Sequence, residues 1–131
     1  MYDIVFYSDK NDYSELSDFL IALTEKSVKN KESRIQLNQI VYCVELLKRY
    51  GTRLPSSIVK HLKGDIWELR PGNNRIIFFC FRGNTLVLLH LFRKQTQKTP
   101  PKEIKKAERE RKDFIERGEF DENMGRLQKI R

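Results

Sequence analysis

Two cysteines in 131 residues, Cys43 and Cys80, are too few for a disulfide framework. Each sits inside an apolar run and reads as a reduced, buried thiol of a cytoplasmic protein. With His61 and His90, the only histidines, they have none of the spacing of a zinc site. No metal and no cofactor are expected. No apolar run approaches the roughly 20 residues that span a bilayer. Nor does the start of the chain read as a charged-then-apolar leader with a small-residue cleavage site, so the expectation is a soluble, cytoplasmic protein with no membrane association. No internal repeat or low-complexity segment is present. Acidic residues are in the minority, with 18 Asp and Glu against 26 Lys and Arg, a formal charge of +8. That balance steers a protein towards nucleic acid, an anionic surface or an acidic partner and says nothing about its fold.

The length predicts one domain, placed at 1–118, with a polar tail over 119–131 that is expected to fray. Tyr2 to Tyr7 reads as a strand. Asn11 and Asp12 offer caps for a helix whose Leu16, Phe19, Leu20 and Leu23 make one stripe. After a charged linker, Glu25 to Glu32, a second helix carries Leu37, Ile40, Val41, Val44 and Leu47 and ends at Gly51. The two helices are expected to form an antiparallel pair. Strands follow near 58–62, 66–70, 75–81 and 85–92. Their turns are Pro71-Gly72-Asn73-Asn74 and one centred on Gly83-Asn84, both rich in residues that tolerate positive φ. A third helix, about 102–117, starts after Pro100 and Pro101 and is expected to stop at Gly118.

A four-residue turn makes Arg70 and Arg75 cross-strand neighbours and pairs Glu68 with Ile77 and Trp67 with Phe78. Side chains alternate along a strand. One face then carries Trp67, Leu69, Ile76, Phe78 and Cys80, which suits packing on the helix pair. The other carries Glu68, Arg70, Arg75, Ile77, Phe79 and Phe81. This second face is too apolar to stand in water and needs the third helix, a partner, or both to cover it. Two arginines side by side are unfavourable unless Glu68 or a bound anion offsets them. The next strand returns Arg93 and Lys94 to the same end. A two-residue loop at Gly83-Asn84 would pair Arg75 with Phe92, and a three-residue loop would pair it with Arg93.

Such a cluster suits a polyanion, and RNA is the expected one, held in a pocket sized for a phosphodiester. Metal-free RNA cleavage is an in-line attack of a 2′-OH on the adjacent phosphate. It needs cations around the phosphorane, a base for the hydroxyl and a proton for the leaving oxygen. Arginine matches phosphate oxygens in pairs and keeps its charge, so Arg75 is the first candidate, with Arg70, Arg93 and Lys94 around it. Glu68 is the one carboxylate on that face, as base or as the partner of Arg70. His90 titrates in the right range, yet its alternation with Leu86, Leu88 and Phe92 favours a satisfied core or edge histidine. Lys98 and Lys102 are candidates for phosphate contact. A metal-dependent nuclease is disfavoured, since hard divalent ions want several oxygen ligands.

The runs LKGDIWELRPGNNRIIFF and LVLLHLFRKQTQKTPPKEIKKA, preceded by a helix pair, resemble the phage-derived branch of the HigB/RelE toxin family. The resemblance covers roughly 54–114. It implies an α+β, RelE-like fold with a twisted antiparallel sheet on an N-terminal helix pair and a C-terminal helix. It implies the toxin of a type II toxin–antitoxin pair, a ribosome-dependent mRNA endoribonuclease (mRNA interferase) that inhibits translation. The partner implied is a helix-turn-helix, HigA-like antitoxin, in a toxin–antitoxin hetero-oligomer. Arg75 matches the family's transition-state arginine and Lys94 its second cationic position. Where some members carry a lysine pair, this chain has Ile66 and Glu68. The late tyrosine or histidine of several members has no match, since all five tyrosines lie at or before Tyr50. A non-catalytic RNA- or ribosome-binding module is the competing expectation.

Overall fold

The elements of the computed structural model follow the hydrophobic periodicities closely. In chain order they are β1 (Asp3–Phe6), α1 (Glu15–Ser27), α2 (Lys31–Tyr50), a 3-10 turn (Gly51–Arg53), β2 (Val59–Lys63), β3 (Ile66–Leu69), β4 (Asn74–Cys80), β5 (Thr85–Arg93) and α3 (Pro101–Ile130). The structure describes the backbone of residues 1–130 and the side chains of 1–118. The fold is α+β. One five-stranded sheet runs β1-β5-β4-β3-β2, antiparallel throughout except that β1 lies parallel to β5.

The first two helices each start where a side chain can satisfy free N–H groups. Ser14 Oγ accepts from Ser17 N at 3.1 Å, and Asn30 Oδ1 accepts from Ser33 N at 2.9 Å. The expected caps at Asn11 and Asp12 are displaced. Asp9 Oδ1 gathers the N–H groups of Asn11 and Tyr13, Asp12 turns to φ 63°, and α1 begins only after that turn. Gly51 closes α2 at φ 59°. A Cβ there would lie 2.5 Å from the Tyr2 ring, so the position needs glycine for both backbone and space. Gly118 does not stop α3, which continues to Ile130. A lone glycine costs a helix only about 1 kcal/mol, and no proline follows it. The tail over 119–131, expected to fray, continues as α3 to Ile130, and its side chains and Arg131 lie outside the described residues.

The two faces of the sheet divide as the alternation requires. Leu69, Ile76, Phe78, Leu86 and Leu88 pack with Leu16, Leu23, Ile40, Cys43 and Leu47 of the helix pair. Ile66, Ile77, Phe79, Val87 and Leu89 lie on the other side under Ala107, Phe114 and Ile115 of α3. Phe114 meets Phe79 and Phe81 edge-on at 5.8 and 5.2 Å. Polar pairs hold α3 in place: Arg111 binds Asp65 through two bonds of 2.7 and 2.8 Å, and Tyr7 donates to Asp113 at 2.6 Å. A helix of this chain thus covers the second apolar face.

The β4–β5 register departs from the loop-length rule. Phe81 N donates to Thr85 O, so three residues, 82–84, form the loop. A regular ladder from that loop would pair Arg75 with Leu91; a bulge at Leu89, opposite Ile77 and Phe78, inserts one residue into β5 and brings Phe92 opposite Arg75 instead. The bulge also changes the parity of β5. His90 pairs with Ile77 and joins the α3 side, on the opposite face from Leu86 and Leu88.

Candidate polyanion site

At the turn end of β3 and β4, the pairing of Leu69 with Ile76 delivers Arg70 and Arg75 to one edge, as the register predicts. Glu68 lies beneath them and is only 1% exposed. Its Oε1 is 3.4 Å from Arg70 Nε and 3.9 Å from Arg75 Nε, and its Oε2 accepts from Thr99 Oγ1 at 2.7 Å. A buried carboxylate facing two guanidiniums offsets their repulsion. Arg75 is further fixed by two carbonyls, donating from Nη1 to Gly72 O at 2.8 Å and Asn74 O at 2.9 Å. Burial first, then the neighbouring Arg70, holds its pKa below the usual arginine value, while Glu68 opposes the shift. Arg70 donates from Nη1 to Ser56 O at 3.1 Å.

Arg93 and Lys94 follow at the end of β5. Lys94 N donates to Asn73 O at 2.8 Å, which locks the strand end onto the turn. Among the described residues no carboxylate forms an ion pair with Arg93, Lys94, Lys98 or Lys102. Arg93 is oriented instead by amides. Its Nη1 donates to Asn74 Oδ1 at 3.2 Å, and Asn74 Nδ2 donates to Gln36 Oε1 at 3.2 Å. Asn74 is fully buried. One asparagine thereby sets two cations, Arg75 through its carbonyl and Arg93 through its side chain. Neither Asn74 nor Gln36 stood out in the sequence. The available signal was a polar residue, Gln36, one position before the apolar stripe of α2.

The segment Lys94–Pro100 straps across Glu68 and Arg75 and leaves a cleft of about 10 Å³, room for about one water. The expected phosphodiester-sized pocket is therefore closed. The exposed Lys98 and the half-buried Lys94 line it, whereas the exposed Arg93 lies outside it, beside Asn74. Lys98 lines the strap, and Lys102 lies exposed just beyond it in the first turn of α3.

His90 is buried as a core histidine, on the other face of the sheet from the one expected. It is 1% exposed; its Nδ1 shares a 2.5 Å bond with Glu110 Oε1, and its Nε2 lies 3.4 Å from Glu103 Oε1. The bulge at Leu89 turns it under α3, away from any RNA at the rim. Glu68 is enclosed by Thr99 and two arginines, which suits the setting of charge better than the acceptance of a substrate proton. The cysteines are free, Cys43 buried and Cys80 half-buried, and burial pushes both thiol pKa values up.

Fold and site together define a small basic α+β domain with a cation cluster braced at the open end of its sheet. Residues 29–112, more than half of the chain, match the family described as phage derived protein Gp49-like (DUF891). The chain belongs to this family, a RelE-type toxin family. It is also similar to a solved structure of the YoeB dimer from Staphylococcus aureus, at 13% identity and a TM-score of 0.45, over 72% of this chain and 97% of that one. No curated protein matches the chain in sequence. Among the described residues, no helix is long and apolar enough to cross a membrane.

Proposed function

We propose that this protein is the toxin of a type II toxin–antitoxin pair, of the phage-derived HigB-like branch, and cleaves mRNA on the ribosome in the cytoplasm. The observation that carries the reading is the set of four cations, Arg70, Arg75, Arg93 and Lys94, braced by Glu68 and Asn74. The substrate 2′-oxygen attacks the adjacent phosphorus, the bond to the 5′-oxygen breaks, and a 2′,3′-cyclic phosphate and a 5′-hydroxyl result. The proton lost from the 2′-OH is matched by the one the 5′-oxygen gains. No metal takes part. Arg75 and Lys94, reached once the Lys94–Pro100 strap parts from Glu68, stabilise the charge on the phosphorane oxygens, and preorganised electrostatics of this kind is the largest single term in many enzymes. Arg93, Lys98 and Lys102 hold the flanking nucleotides. Glu68 and Arg70 act as positioning residues for Arg75. A HigA-like helix-turn-helix antitoxin is the partner, in a hetero-oligomer.

A second reading is favoured by the enclosure of both Glu68 and His90, which leaves the cluster without an obvious base. The protein would then dock RNA or ribosome and arrest growth by occupancy. Mapping mRNA 5′ ends in cells expressing the parent, Arg75→Ala and Lys94→Ala separates the two. New 5′ ends with the parent, lost in both variants while ribosome binding persists, are expected for catalysis. A parent that binds ribosomes and produces no new 5′ ends leaves only the docking reading.

A further inference from the structure

Arg93 and Lys94 are consecutive, yet they serve opposite faces of the sheet. Lys94 lines the strapped cleft with Glu68 and Arg75. Arg93, paired with Asn74, lines a separate groove of about 410 Å³ between α2 and the 71–74 turn. That volume lies within the range of small-ligand sites. The groove wall on α2 is built from Glu32, Ile35, Gln36 and Gln39, spaced i, i+3, i+4 and i+7 and therefore one helical face. It is the exposed flank of α2, beside the stripe of Leu37, Ile40, Cys43 and Leu47 that packs on the sheet. It consists of a carboxylate, two amides and one half-exposed isoleucine. Gly72 lets the turn approach it, since a Cβ there would lie 2.3 Å from Gln39 Oε1.

We propose that this groove is a nucleobase subsite that takes a guanine next to the phosphate held at the cation cluster. The proposal rests on the RNA-binding reading above and names a determinant of its sequence preference. A chain crossing the strand ends places its phosphate by Lys94 and its neighbouring base by Arg93. The groove offers hydrogen-bond donors at Arg93 and an acceptor at Glu32. Guanine answers both: O6 and N7 accept from a guanidinium, and its N1–H and N2–H₂ donate to a carboxylate. Gln36 and Gln39 add amide contacts to either edge, and Ile35 supplies an apolar surface for the ring. Cytosine presents a single amino donor, lacks the O6/N7 pair and fills less of the groove.

The test uses full-length protein and four heptaribonucleotides with 2′-O-methyl riboses, which resist cleavage. Each is oligouridylate with U, C, A or G at the centre, and binding is followed by fluorescence anisotropy at one salt concentration. The G oligonucleotide is expected to bind about tenfold tighter than the U oligonucleotide. Glu32→Gln and Gln39→Ala, both at exposed positions, should each reduce that ratio, taken against U binding by the same variant, to about threefold or less. Arg75→Ala should weaken all four together and preserve the ratio. Equal binding of the four, preference for another base, or a G preference that survives both groove variants overturns the subsite while the RNA reading stands. Failure of the parent to bind any of the four overturns the RNA reading and the subsite with it.

Discussion

Replacing Glu68 with alanine removes the one carboxylate between two arginines. The side chain is 1% exposed, and its Oε1 lies 3.4 and 3.9 Å from the two guanidinium nitrogens. Deleting one partner of a buried pair costs roughly 3–5 kcal/mol, because the other charge stays buried and uncompensated. Both distances are long for a tight pair, and the Arg70 side chain is 20% exposed, so water relieves part of the penalty. The lower end, about 3 kcal/mol, is expected. With a urea dependence of about 1.5–2 kcal/mol/M for a chain of this size, the unfolding midpoint falls by about 1.5–2 M. Trp67, the only tryptophan, lies on the adjacent strand position and reports the transition by fluorescence. Glu68→Gln retains the volume and removes the charge, and it should keep at least half of the loss. Sulfate should restore Glu68→Ala more than the parent, since an anion then stands in for the carboxylate. A midpoint lowered by less than about 0.5 M would refute the claim that Glu68 neutralises the pair.

Two further outcomes follow from local geometry. Gly51→Ala meets both a φ of 59° and the Tyr2 ring at 2.5 Å, whereas Gly72→Ala meets a similar φ and only the far end of Gln39. Thermal unfolding should show the larger loss at Gly51, by at least about 1 kcal/mol beyond the 1–2 kcal/mol of the left-handed backbone, and equal losses would count against the Tyr2 contact. Burial, with help from the bond to Asp113, raises the Tyr7 pKa well above its ordinary value of 10.0. The folded state therefore holds this proton more tightly than the unfolded chain. Its contribution is complete below pH 10 and declines as pH rises beyond it. Tyr7→Phe should flatten the fall in stability above pH 10, and an unchanged alkaline slope would show that Tyr7 does not carry it.

The pairing of Glu68 with Ile77, the apolar faces and the gathering of Arg70, Arg75, Arg93 and Lys94 were legible in the residues, because alternation and a four-residue turn are local rules. His90 was misplaced for a physical reason: a bulge leaves no mark in a run such as LVLLHLF, where every residue suits a strand. Which of two loop lengths held could not have settled the Arg75 pairing either, since the bulge at Leu89 offsets the third loop residue.

By itself the sequence determined the element types, the charge excess and the identity of the cations, all of which depend on residue type and short-range spacing. The tertiary structure alone decided that β1 runs parallel to β5, that Thr99 closes the strap onto Glu68, and that Gln36 orients Asn74 across 38 positions. Those contacts join segments with no local relation. Their free energy exists only once packing has brought the buried donors and acceptors within reach and removed the water that would otherwise satisfy them.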